Sequence, residues 1–159
     1  MIEYNRLSDF LPYLLSITSN AVSARIAAEY HDKVDLKVPE WRVMAVLGDA
    51  GMLTQRDLTR LTVMDKVAVN RACKVLEDRG LAVRKPNDED GRSHLLELTK
   101  SGQAMHDEIM PIAQEMERRL FANFTDEECE TFKHLLNRVR KEVKDLDMNG
   151  LFGGNFGVR

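Results

Sequence analysis

The sequence predicts a mainly α chain that carries one small β-hairpin. Three observations support this. Apolar residues recur at three- and four-residue steps over most of the 159 positions, which is the helical period. One stretch, Pro86-Asn87-Asp88-Glu89-Asp90-Gly91-Arg92-Ser93, has turn chemistry and separates two short runs of strand formers at 81–85 and 94–98. Two short helices joined by a tight turn precede that hairpin, and longer helices flank the whole. Helix, turn, helix, hairpin is the order of a winged helix-turn-helix module, here at about 38–100, in an α+β fold.

Each element has its own signal. The stripe Leu11, Leu15, Thr18, Val22, Ile26 predicts a helix over about 7–30, with Pro12 early, where a missing N–H costs least. His31-Asp32-Lys33-Val34-Asp35 reads as a polar link. A second helix starts near Pro39 and runs through Trp41 to Leu47, with Gly48 and Gly51 bracketing its end. Thr54 with Asp57 is a helix-start pair, and Asp65 caps the next helix, 66–79, which Gly80 stops. Thr99 opens a long helix striped by Met105, Ile109, Ile112, Met116 and Leu120, in which Pro111 should make a kink. Thr125 and Glu128 form a capping box for the last helix. Its Cys129, Phe132, Leu136, Val139, Val143 and Leu146 keep coiled-coil spacing. The Gly-rich tail, about 148–159, reads as loose.

Composition narrows the function classes. The chain is long enough for one domain with a sizeable core, and we expect a single regulator-sized domain over 1–159. No apolar run approaches the roughly 20 residues that span a bilayer, and the start lacks the pattern of a secretory signal. The expected location is the cytoplasm, with no membrane partner. The net charge of −3 is unevenly spread: residues 1–53 carry −2, 54–100 carry +2 and 101–159 carry −3. An acidic body around one basic module keeps indiscriminate attraction to phosphate low.

The helix at 66–79 carries the functional argument. Ala68, Val69, Ala72, Val75 and Leu76 fall on one side, and Lys66, Val67, Asn70, Arg71 and Lys74 on the other. Its acids, Glu77 and Asp78, lie in the last turn. A recognition helix presents its N-terminal residues to base edges, where Asn suits adenine and Arg suits guanine. Lys66 and Lys74 suit phosphates. The bland alternative is a solvated helix face, but the hairpin adds independent weight. Arg84 and Lys85 precede its turn, and Arg92 sits at the tip, placed for a minor groove. Asp90 is expected to pair with a basic neighbour and hold the tip in shape.

The run Asp65-Lys66-Val67-Ala68-Val69-Asn70-Arg71, then Leu76-Glu77-Asp78-Arg79-Gly80-Leu81, Arg84, Asp90-Gly91-Arg92-Ser93 and Leu98-Thr99-Lys100-Ser101-Gly102 resembles the signature of the MarR family. The helix with Pro39-Glu40-Trp41-Arg42-Val43 is similar to that family's second helix, and the resemblance covers about 7–147. Gly91 stands where many members have a second Arg. The resemblance implies a homodimer built from terminal helices, about 7–31 and 101–147, binding double-stranded DNA at a pseudo-palindromic operator. It implies Arg92 in the minor groove. It also implies repression relieved by a small aromatic or acidic effector, an aromatic carboxylate or its thioester. The candidate DNA-binding residues are Thr54, Gln55, Lys66, Val67, Asn70, Arg71, Lys74, Arg84, Arg92 and Ser93. Candidate effector residues are Arg25, Trp41, Arg42 and Met44. The dimer seam is assigned to Leu11, Leu15, Phe132, Leu136, Val139 and Val143, because the stripes exceed what one small domain buries.

Other residues carry bland readings beside sharp ones. Cys73 and Cys129 form no CxxC pair and read as two buried thiols, with a redox switch as the alternative. The four histidines have no metal-ligand spacing, and no cofactor is expected. Trp41 reads as core, or as a stacking wall for an aromatic ligand; Arg25 and Arg42 read as ligand holders or as surface ion pairs. No phosphate loop, nucleophile elbow or paired-carboxylate signature is present, so an enzyme is not expected. A ligand-independent or redox-responsive regulator and a helical protein-binding scaffold remain the rival functions.

Overall fold

A computed structural model of the chain describes residues 6–149, with side chains to residue 146. The chain divides into two compact units, Met1–Met116 and Glu117–Arg159.

In the first unit, residues Leu7–Asp9 form a single 3-10 turn and α1 runs Leu11–Val34. The helix therefore starts later and ends later than its stripe predicted. The stretch 31–35 is no link: Tyr30 and Val34 are buried one turn apart, while His31, Asp32 and Lys33 face water. What reads as a polar linker is the wet face of a helix. The helix stops at Asp35, which takes left-handed dihedrals (φ 46°, ψ 50°). α2, Val38–Ala50, is capped by the Glu40 carboxylate, which accepts from the Lys37 N–H at 2.8 Å. Gly48 lies inside this helix rather than at its end, pressed against the His106 ring. Gly51, with φ 80°, ends it.

A two-residue strand, β1 (Leu53–Thr54), leads into α3 (Gln55–Thr62). Thr54 caps α3 by accepting from the Asp57 N–H at 3.1 Å, and Asp65 caps α4 (Lys66–Asp78) through the Ala68 N–H at 2.9 Å. The end of α4 explains the Leu-Glu-x-x-Gly-Leu pattern physically. Gly80 sits at φ 67°; its N–H donates to the Glu77 carbonyl at 2.9 Å, and the Leu81 N–H donates to the Leu76 carbonyl at 2.8 Å. That is a Schellman stop sealed by buried Leu76 and Leu81. Because Leu81 belongs to the stop, β2 begins one residue later than expected, at Ala82–Pro86.

β2 pairs antiparallel with β3 (His94–Leu98), placing Arg84 opposite Leu96, and β1 adds to the far edge in the order β1-β3-β2. β1 is too short to show a period of its own. α5, Lys100–Leu120, starts against the Schellman turn. The Thr99 hydroxyl donates to the Gly80 carbonyl at 2.7 Å, and the Thr99 N–H to the Leu81 carbonyl at 3.1 Å. A Cβ on Gly102 would stand 1.9 Å from that Leu81 oxygen, so the Thr-x-x-Gly spacing is set by the close approach of two backbones. α5 runs through Pro111 as one helix; the proline withholds a single N–H from the Asp107 carbonyl.

The core of this unit gathers Val43, Met44, Leu47, Leu58, Val69, Ala72, Cys73, Leu76, Leu96 and Ile109, with Tyr30, Val34 and Leu36 at its side. Arg79 adds a polar tie. Its guanidinium donates to the Val34 and Asp35 carbonyls, each at 2.8 Å, closing the C-terminus of α1 with a cation.

In the second unit, α6 spans Asp126–Asn149. Its start carries the expected capping box: the Glu128 N–H donates to Thr125 Oγ1 at 3.1 Å, and the Thr125 N–H to Glu128 Oε2 at 2.8 Å. Phe121 contacts Phe124 edge-on at 5.3 Å between centroids and Phe132 at 6.2 Å. The tail from residue 150 lies outside the described residues.

Candidate nucleic-acid interface

α4 divides as its sequence requires. Val69, Ala72, Cys73 and Leu76 are buried, whereas Lys66, Val67, Asn70, Arg71 and Lys74 are exposed. The apolar side holds the helix on the core, which leaves its other side and its N-terminal end free to enter a groove. Lys74 is 3.7 Å from Asp78, but both side chains are mostly solvated, so water screens the pair and the lysine keeps its reach.

Two grooves meet at the start of α3, and one of them also touches α4. One, about 470 Å³, is lined by Gln55, Arg56, Thr59 and Arg60 of α3 and by Lys66 and Asn70 of α4. The other, about 600 Å³, lies between the start of α3 and the wing loop, and places Thr54, Gln55, Arg56 and Arg60 across from Arg84, Asn87, Arg92 and Ser93. The structure thus brings the two halves of the predicted site together. Sequence reasoning missed Arg56 and Arg60. Their four-residue spacing, which puts two guanidiniums on one face of α3, was the available signal. Arg60 is 3.3 Å from Asp57, whose carboxyl is held below the usual range chiefly by the Thr54 hydroxyl, 2.8 Å away.

The wing differs from expectation in detail. Asp90 accepts from the main-chain N–H of Arg92 at 3.1 Å and not from a cationic side chain. An Asx turn shapes the tip, so no ion pair is needed. Asn87 supports it by donating to Ser93 Oγ at 2.9 Å and accepting from the Glu89 N–H at 3.2 Å. Arg92 is thereby exposed on an internally bonded loop, while Ser93 is engaged within that loop. Arg84 is tied to Glu77 of α4, and Lys85 pairs with Glu97 across the sheet.

The residues assigned to an effector separate. Met44 has no exposed surface and belongs to the core, so it cannot line a pocket. Trp41 is partly buried between two rings of its own chain, Tyr30 and His106, each 5.9 Å away by centroid. Arg25 pairs with Glu29 at 2.6 Å, and Arg42 donates to Ser23 Oγ at 2.9 Å. On the seam residues, Leu11, Leu15, Phe132, Val139 and Val143 are exposed and Leu136 is half-buried. Cys73 is buried and Cys129 only partly so.

An amphipathic helix with a cationic outer face, set beside a stiffened hairpin that carries an outward Arg, defines a winged helix-turn-helix DNA-binding module. Comparison with known proteins agrees. The MarR family model matches residues 34–93. The uncharacterized HTH-type transcriptional regulator YwoH of Bacillus subtilis is 32% identical over 112 residues, covering 70% of this chain and 81% of that one. The multiple antibiotic resistance protein MarR of Escherichia coli is 27% identical over 121 residues, 76% of this chain and 84% of that one. The crystal structure of a cysteine-to-serine MarR variant from E. coli, complexed with operator DNA, superposes with a TM-score of 0.72 at 26% identity, over 81% of this chain and 92% of that one. The chain belongs to the MarR family and is a DNA-binding transcriptional regulator. Among the described residues, no helix is long and apolar enough to cross a membrane.

Proposed function

We propose that the chain acts as a dimer on a pseudo-palindromic operator, with α4 of each protomer in a major groove and Arg92 of each wing in the adjoining minor groove. The observation that carries this reading is the single exposed face of Lys66, Val67, Asn70, Arg71 and Lys74 beside the outward Arg92. Dimerisation is supported on each unit separately. α6 leaves Phe132, Leu135, Val139, Val143 and Leu146 exposed, and the start of α1 leaves Leu11, Leu15 and Ile17 exposed. An apolar stripe of that length needs a partner. Selection from random-sequence DNA should return a two-fold motif with half-sites about one helical turn apart, and light scattering should give twice 18.2 kDa. A monomer at micromolar concentration, or no enriched sequence, would sink the proposal.

The mode of regulation we propose is repression released by a small aromatic carboxylate or its thioester, held near Trp41 and Arg42. The observation favouring it is a tryptophan stacked by His106 next to a partly exposed guanidinium. Trp41 is the only tryptophan, so benzoate or its coenzyme A thioester should quench its emission and weaken DNA binding together. Linkage requires DNA to weaken the ligand by the same factor. Release of DNA without that reciprocity would exclude the mechanism.

A further inference from the structure

The two most exposed large apolar side chains among the described residues are Val63 (78%) and Val67 (63%). They flank the N-cap Asp65, so both stand at the N-terminal end of α4. Neither placement is what folding alone favours. Val63 holds φ 53° and ψ 29°, a left-handed conformation in which a β-branched side chain is strained and glycine is not. Val67 lies on an outer face that is otherwise cationic or amide, beside Lys66, Asn70 and Arg71. Neither valine belongs to the hydrophobic core or to the residues packed against it.

The end of a recognition helix that meets base edges needs apolar surface for one purpose. The C5 methyl of thymine is the only apolar group the major groove displays. We infer that Val67 is a specificity-determining residue that reads a thymine methyl in each half-site, with Val63 supplying apolar surface at the same helix end. This rests on the proposal that α4 enters the major groove. It adds base discrimination that needs no hydrogen bond, leaving Asn70 and Arg71 for polar edges.

The test uses the duplex selected from random DNA, with each half-site thymine replaced in turn by deoxyuridine, which removes only the methyl. The native protein should lose about fourfold in affinity at one thymine per half-site, the effect of unburying a methylene-sized group. Val67→Ala should bind the thymine and uracil duplexes equally at that position while keeping its circular dichroism spectrum. Val67→Thr, which retains one methyl in the same shape, should restore part of the difference. A half-site without thymine, indifference to every uracil, or undiminished sensitivity in Val67→Ala overturns the inference and leaves major-groove binding standing. Failure to bind any duplex overturns the reading beneath it instead.

Discussion

Arg84 Nε donates to Glu77 Oε1 at 2.6 Å, joining the first wing strand to the last turn of the recognition helix. The Glu77 hydrogen bond is the main reason the Arg84 guanidinium is pushed above its ordinary pKa. Arg84 was expected to touch DNA, but in the structure its charge is already matched, and its geometry suits it to setting the angle between wing and helix. Arg84→Ala should therefore weaken operator binding without lowering the slope of log affinity against log salt. Exchanging the charges, Arg84→Glu with Glu77→Arg, should recover part of the loss and show a coupling of about 1 kcal/mol in urea unfolding. A slope reduced by about one charge in Arg84→Ala would make it a phosphate contact.

Arg71 and Lys74 share the exposed face but should differ in what they read. One bidentate base contact is worth roughly 1–3 kcal/mol, so Arg71→Ala should cost about tenfold or more on the operator and far less on random DNA. Lys74→Ala should weaken both alike and lower the salt slope by about one phosphate. Equal losses on both DNAs for Arg71→Ala would reassign it to the backbone.

Two glycines test how closely the elements pack. At Gly102 a methyl would meet the Leu81 carbonyl oxygen at 1.9 Å, backbone against backbone. Gly102→Ala should cost at least about 2 kcal/mol in thermal or urea unfolding. At Gly48 the obstacle is the His106 ring, 2.4 Å away, which can swing aside, and alanine is the better helix former by about 1 kcal/mol. Gly48→Ala should stay within about 1 kcal/mol of the parent while shifting Trp41 emission, because His106 leaves its stack. A Gly102→Ala protein as stable as the parent would refute the close approach.

Alkaline stability should depend on two buried acids. Burial pushes the Cys73 thiol up to about 11 and the Tyr30 phenol up to about 12. Between each ordinary value and the raised one, the unfolded chain has lost a proton that the folded chain keeps. Stability therefore falls as pH rises, from about 9 through about 11 for Cys73 and from about 10 through about 12 for Tyr30. Tyr30→Phe should flatten the upper part of that decline and Cys73→Ala the lower part, in denaturant titrations at stepped pH. The same burial keeps Cys73 a neutral thiol at pH 7, so peroxide at that pH should leave Cys73 unoxidised by mass spectrometry. Loss of DNA binding under peroxide that Cys73→Ala prevents would revive the redox reading.

What the sequence by itself determined is what neighbours along the chain can decide. The caps at Thr54, Asp65 and Thr125 bond groups three residues away. The Schellman stop at Gly80 closes within six residues, and the two faces of α4 follow from a 3.6-residue period. The tertiary structure decided matters that depend on groups far apart in sequence. β1 exists only because β3 pairs with it about forty positions on. α1 continues to Val34 because the core buries Tyr30 and Val34, and Arg79 closes its end from 45 positions away. Arg84 meets Glu77 at 2.6 Å only because β2 folds back beside the end of α4, and Met44 lies in the core because α2 packs on α4. Local signals report which hydrogen bonds a segment can satisfy by itself. Which surface is left over for a ligand depends on burial, and burial is a property of the whole packed unit.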